Sequence, residues 1–211
     1  NGVENYIQAY AATSKDKTLE KYTSVLRENV EELNGLIQEI LDFRKAEDAG
    51  FSHTHIRRVS VSSLLRTQFE WFYPLSEQHQ IQFKIDAPKE LYWNTDSVYF
   101  KKILANLISN AFKYTEDGGT VRISLHEEEN FLVLKVYNTG KGIEEADMQN
   151  IFDRYRILGT MDNDDNRQNT TRNGLGLFIC HSLVQSLGGK INIESEVGQY
   201  AEFTVTLPFG I

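Results

Sequence analysis

The chain has 211 residues, 40% of them hydrophobic, enough to bury a core and to form one domain with an appendage. Its formal charge of -8 and pI near 5.2 argue against a polyanion held by bulk attraction, and so against a nucleic-acid partner. The single Cys180 excludes an internal disulfide framework, and the longest apolar run, Ile103 to Ile108, broken by Asn106, falls far short of the ~20 residues of a membrane span. This stretch of chain is predicted not to enter a membrane.

Residues 3 to 12 read as a short helix or the tail of one, interrupted by Ser14, Lys15 and Asp16. From about Leu19 to Arg44 the apolar residues Leu19, Tyr22, Leu26, Val30, Leu33, Ile37 and Ile40 recur at spacings of three and four, which predicts one long amphipathic helix. A stripe of roughly seven turns needs other helices to cover it. A two-helix hairpin pairing with its twin as a four-helix bundle is the economical solution, so a homodimer through the residue 17–46 helix is predicted, with packing inside a monomer as the alternative. Asp48, Ala49 and Gly50 close the helix, and the polar run to Arg58 reads as a linker. His53 and His55 lie there without a Cys or acidic cluster at ligand spacing and are read as solvated.

Val59 and Val61 fit a short strand, after which Ser62 or Ser63 can cap a helix running to about Tyr73 and broken by Pro74. Ile81, Phe83 and Ile85 alternate as a strand, and Leu91 to Trp93 suggest another. Asp96 opens a helix on which Ile103, Leu104, Leu107, Ile108 and Ala111 form one apolar arc, bordered along one side by Asn106, Asn110 and Lys113. Val121, Ile123 and Leu125, then Leu132, Leu134 and Val136, predict a hairpin that runs into Gly140-Lys141-Gly142. A helix from near Gly174 to Gly188-Gly189 holds Cys180, read as core packing, and strands follow at Ile191 to Ile193 and Phe203 to Leu207. The pattern predicts an α+β chain: a two-layer α/β sandwich with a mixed sheet and helices on one face, preceded by the long amphipathic helix.

Two asparagines one turn apart inside a helix ask for a reason, because their side chains compete for backbone hydrogen bonds. Their carboxamide oxygens suit a Mg2+ that keeps most of its water and takes further ligands from phosphates, and Lys113 supplies a point charge for the same phosphates. Gly140 and Gly142 let the backbone turn and let a planar ring approach. Gly174, Leu175 and Gly176 open a helix whose free amides suit a phosphate chain. The polar segment between Ile157 and Gly174 reads as a mobile loop; its acidic start at Asp162 lacks the glycine and glutamate of a calcium loop, with Arg167 and Asn173 in their places.

Four stretches, NLISNAFKYT from Asn106, VYNTGKGI from Val136, IFDRYRI from Ile151 and GLGLFIC from Gly174, resemble in order and spacing the N, G1, F and G2 boxes of the ATP-binding catalytic domain of sensor histidine kinases. The resemblance covers about residues 56 to 209 and implies a Bergerat-type ATP-binding fold at residues 58–211. Residues 1–50 would be part of the dimerisation and phosphotransfer hairpin, with 51–57 as linker. It implies ATP and Mg2+ as cofactors, with Asn110 on the metal and Lys113 neutralising phosphate. The implied nucleotide contacts are Asn106, Asn110, Lys113 and Tyr114; Asn138, Gly140, Gly142 and Ile143; Phe152 and Arg154; and Arg172, Gly174, Leu175, Gly176 and Leu177. Phe152, Arg154 and Tyr155 match the aromatic box that anchors the loop over ATP.

Asn138 stands where the family has an aspartate that accepts the adenine amino hydrogen. A neutral acceptor in place of a charged one implies a loss of about 1 kcal/mol, roughly five- to tenfold in affinity. Arg172 replaces a usual glycine and Ala201 a threonine near adenine. The resemblance further implies transfer of the γ-phosphoryl to a histidine, then to an aspartate of a response-regulator receiver domain, in the cytoplasmic part of a larger sensor. No His-Glu or His-Asp pair occurs in residues 1 to 52, and counting back from LDFRK at Leu41 to Lys45 places the acceptor just before Asn1. The alternative function is a degenerate nucleotide-binding or non-binding dimerising regulatory module. Chaperone and topoisomerase ATPases of the same fold are disfavoured by the long helix.

Overall fold

The computed structural model describes residues 55–153 and 176–209; the predicted long helix and the loop after Ile157 lie outside the described residues. In order, the described elements are β1 (Arg57–Ser60), α1 (Val61–Gln78), β2 (Gln82–Asp86), β3 (Tyr92–Thr95), α2 (Ser97–Tyr114), β4 (Thr120–Glu128), β5 (Phe131–Thr139), α3 (Glu145–Met148), α4 (Gly176–Ser186), β6 (Lys190–Glu196) and β7 (Tyr200–Pro208). β1 and β3 form an antiparallel pair, and the main sheet runs β2-β4-β5-β7-β6. β2 is parallel to β4 and the remaining pairs are antiparallel, so the sheet is mixed, as predicted.

The alternation of the strands decides where the core sits. Val121, Ile123 and Leu125 of β4, Leu132, Leu134 and Val136 of β5, and Phe203, Val205 and Leu207 of β7 are all buried in one cluster with the inward residues of α1, α2 and α4. The opposite face carries Arg122 over the Tyr137 ring at 4.8 Å, Tyr137 stacked on Tyr200 at 5.4 Å, and Lys135 paired with Glu202 at 3.4 Å. One face is apolar and helix-covered; the other is polar and aromatic. Glu129 and Asn130, at φ 47° and 66°, make the two-residue turn whose handedness matches strand twist in the β4–β5 hairpin.

α2 packs against α1, α4 and β5. It buries Phe100, Ile103, Leu104, Leu107, Ile108 and Phe112. At about 1.5 to 3 kcal/mol for each large apolar side chain, this outweighs by far the roughly 0.7 kcal/mol at most that each asparagine costs in helix propensity. Asp96 starts the helix: its Oδ1 accepts from the Val98 and Tyr99 amides at 2.8 and 3.2 Å, and its Oδ2 from the His55 amide at 2.8 Å.

Three local expectations are corrected. Val61 begins α1 rather than ending a strand, and Ser60, not Ser62 or Ser63, occupies the cap position, with no side-chain cap bond. Ser62 instead turns inward, where its Oγ accepts from the Leu91 amide at 2.9 Å and ties α1 to the approach of β3. Pro74 does not end α1, which continues to Gln78. Upstream, Phe69 stacks on Phe83 at 4.5 Å and Phe72 on Phe112 at 5.4 Å; downstream, Ser76 is buried and its carbonyl accepts from the Ile81 amide at 2.8 Å. Anchoring on both sides carries the helix across the missing donor. The third strand is Tyr92–Thr95, shifted from Leu91–Trp93.

Asp96→Ala, which leaves three amides without an acceptor, is expected to lower stability by about 1 to 2 kcal/mol in urea denaturation, while Asp96→Asn retains most of it.

Candidate functional site

Asn106, Asn110 and Lys113 lie along the edge of the α2 arc and are all half-buried, while Tyr114 is exposed. Two glycines from distant parts of the chain close on this edge. A Cβ at Gly176, the first residue of α4, would lie 3.2 Å from Asn106 Oδ1, and a Cβ at Gly140, past the end of β5, would lie 2.2 Å from the Tyr114 carbonyl oxygen. Asn110 and Lys113 fall between these two contacts along the helix. Lys113 Nζ stands 5.8 Å from the centroid of the Tyr114 ring, within cation–π range. Two carboxamides and an ammonium therefore share a border that two other segments approach closely, the Gly140 contact being one that no Cβ would permit.

Asn138 ends the inward alternation of β5 and is only 5% exposed. Its Nδ2 donates to the Thr139 carbonyl at 3.1 Å, which turns the carboxamide so that Oδ1 is the acceptor it offers. Its cross-strand neighbours are Val121 on β4 and Ala201 on β7, so the two departures expected to affect the base, Asn138 and Ala201, are side by side.

The turn after β5 is strapped to the β6–β7 hairpin. The Gly140 amide donates to Gln199 at 3.0 Å, the Gly198 amide to Lys141 at 2.7 Å, and the Ile143 amide to Ser195 Oγ at 2.8 Å. Gly142, at φ +66°, lies so close to the hairpin that a Cβ would stand 2.2 Å from the Glu196 carbonyl oxygen. Here glycine is required twice over, by backbone conformation and by contact. Ile143 and Leu177 are partly buried against the core.

Phe152 stacks on His181 of α4 with centroids 5.3 Å apart and planes at 19°, and meets Phe203 of β7 edge-on at 6.4 Å. Cys180 beside it is fully buried, and burial pushes its thiol pKa up to about 12, consistent with core packing. Arg154, Arg172, Gly174 and Leu175 lie outside the described residues. Sequence reasoning gave His181 a structural reading without naming its partner, and assigned no role to Ser195. For Ser195 the signal was present, a polar residue closing the inward series Ile191, Ile193; for His181 no pattern in the sequence points to Phe152.

A helical border of carboxamides and ammonium, a glycine turn at the end of the central strand and a glycine at a helix start thus come together at one end of the mixed sheet. Residues 95–211, more than half of the chain, match the family described as histidine kinase-, DNA gyrase B- and HSP90-like ATPase, and the chain belongs to that family. Among curated relatives, it is 32% identical over 191 residues to the circadian input-output histidine kinase CikA of Synechococcus elongatus, covering 89% of this chain and 25% of that one. It is 30% identical over 218 residues to the sensor histidine kinase WalK of Bacillus subtilis, covering 98% of this chain and 34% of that one. The chain thus spans a quarter to a third of these relatives. In fold it is similar to the solved histidine kinase ThkA in complex with the response regulator protein TrrA, with a TM-score of 0.73 and 21% identity, covering 97% of this chain and 57% of that one.

Gly142→Ala is expected to destabilise the domain by more than about 1 kcal/mol in chemical denaturation, since it strains φ and drives a methyl into the Glu196 carbonyl, whereas Gly118→Ala, at an open turn of similar φ, is expected to cost less.

Proposed function

We propose that this chain is the ATP-binding kinase portion of a two-component sensor histidine kinase, in which the γ-phosphoryl of ATP passes to a histidine and then to a response-regulator aspartate. The observation that carries this reading is the meeting of the α2 border with Gly140 at one end and Gly176 at the other. The family membership supplies ATP as the nucleotide, and the curated relatives are sensor kinases.

The residues fit Mg2+. Asn106 and Asn110 offer hard neutral oxygens one helical turn apart, and the missing Cβ of Gly176 leaves the space before Asn106 Oδ1 open. Asn110 would hold the ion, with Asn106 beside it; bound there, Mg2+ supplies charge neutralisation to the phosphates. Lys113 adds a point charge to the same group, and Asn138 Oδ1 accepts the hydrogen of the adenine amine. Gly140 and Gly142 let the turn close on Tyr114 and on the β6–β7 hairpin, and with Ile143 would present it to the base, while Phe152 fixes the start of the segment that leads to Arg154, Arg172, Gly174 and Leu175. These groups position and neutralise rather than form bonds, which is the main demand of phosphoryl transfer.

The relatives extend the reading outward. Residues 1–50 would contribute to a dimerisation hairpin, with the residue 17–46 helix pairing two copies, residues 51–57 linking and 58–211 forming the catalytic domain. The partner that receives phosphate would be a receiver domain, as a response regulator binds ThkA. No helix among the described residues is long and apolar enough to cross a membrane, and a cytoplasmic location suits the supply of ATP.

Calorimetric titration with a non-hydrolysable ATP analogue tests the site. Binding is expected to depend on Mg2+, and Asn110→Ala is expected to remove that dependence. The folded chain failing to bind would instead favour the dimerising regulatory module. Asn138→Leu, close in size and without an acceptor, should weaken the analogue roughly three- to tenfold with the Mg2+ dependence retained.

A further inference from the structure

We propose that Ser195 is a positioning residue of the nucleotide site, whose hydroxyl fixes the Gly140–Ile143 turn against the β6–β7 hairpin. The proposal rests on the reading of that turn as part of the nucleotide site. Phe83, Val121, Asn138, Ala201 and Ser195 are paired in register across all five strands of the main sheet and so present their side chains on one face. Along this row only Asn138, on the central strand, and Ser195, on the edge strand β6, are polar, and each is bound to or followed by the glycine turn.

A hydroxyl on the core-facing side of a strand is costly unless both of its functions are used. Ser195 uses both: it accepts from the Ile143 amide at 2.8 Å and donates to the Tyr200 carbonyl at 2.6 Å. The bond to Ile143 spans 52 residues of sequence and is the side-chain member of the strap between the turn and the β6–β7 hairpin. The flanking bonds, from the Gly140 amide to Gln199 and the Gly198 amide to Lys141, use backbone atoms and survive a change at position 195. The Ile143 amide has no such reserve. Without the Ser195 hydroxyl it faces the row unpaired, the exit of the turn loosens, and a nucleotide must order it on binding, at a cost in affinity.

The test uses the whole chain as Ser195→Ala, Ser195→Thr and Ser195→Cys, with thermal unfolding, titration with the non-hydrolysable ATP analogue and Mg2+, and hydrogen exchange at the Ile143 amide without nucleotide. Ser195→Ala is expected to weaken binding about fivefold or more and to speed Ile143 exchange by a similar factor, as for loss of one buried hydrogen bond. Ser195→Thr, which keeps the hydroxyl and suits a strand, should stay within about twofold of the parent in both. Ser195→Cys should fall between, and it decides the matter if the alanine variant does not fold. Unchanged affinity in folded Ser195→Ala, or in Ser195→Cys in its stead, would overturn the positioning role. Threonine failing to rescue would overturn the role of the hydroxyl itself. If the parent chain binds no analogue, the nucleotide reading falls and the binding role of Ser195 with it, while Ile143 exchange still reports whether the strap exists.

Discussion

The site depends on the burial of one face of α2. Phe100, Ile103, Leu104, Leu107, Ile108 and Phe112 cannot leave the core without losing several kcal/mol in sum, so the rotation of the helix about its own axis is fixed. Once it is fixed, Asn106, Asn110 and Lys113 have no choice of direction; they lie on the border of the arc, where α4 and the β5 turn come in. The polar residues contribute little to this placement. They are carried to the site by the hydrophobic residues one and three positions away, and this is why asparagines that weaken a helix in isolation can be held here.

The same division explains what could be read in advance. The α2 arc, the β4–β5 hairpin and the inward faces of β6 and β7 were legible, because each is a period in the sequence and the period is the physical cause of the burial. Pro74 was misread because a local rule, loss of one donor, competes with tertiary anchoring by Phe69, Phe72 and Ser76 that the sequence does not display. The start of α1 was misread for a similar reason: Ser62 looks like a cap but is bound to the Leu91 amide, 29 residues away. In the site, motif residues within one element were legible, and contacts between elements were not. Nothing along the chain says that His181 covers Phe152, or that Gly142 lies against Glu196.

Net charge misleads at this scale. The chain carries -8, yet the reading of the site asks it to hold a polyanionic nucleotide. At physiological ionic strength the field of distant surface carboxylates is screened over about 8 Å, so the groups within one or two turns of α2 decide. On this border Asn106, Asn110 and Lys113 are neutral or cationic, and the acidic Glu116 and Asp117 lie past the end of the helix. The acidic surface still acts against long polyanions, whose binding depends on many contacts spread over the surface, and so favours a small anion over a large one.

The neutral residue at position 138 looks, from sequence, like a loss of charge-assisted binding. The surroundings give it a different meaning. Asn138 is almost fully buried, its Nδ2 is bound to the Thr139 carbonyl, and its neighbours across the strands are Val121 and Ala201, which offer no donor. A carboxylate in the same orientation would set an oxygen against that carbonyl, where the amide sets a donor. Losing that donor and gaining a repulsion offsets part of the roughly 1 kcal/mol gained by charging one hydrogen bond to a ligand. Asparagine therefore suits this setting, with Ala201 beside it as a small apolar neighbour. What the asparagine keeps is the acceptor, turned by the Thr139 carbonyl so that it is the oxygen that the base would meet.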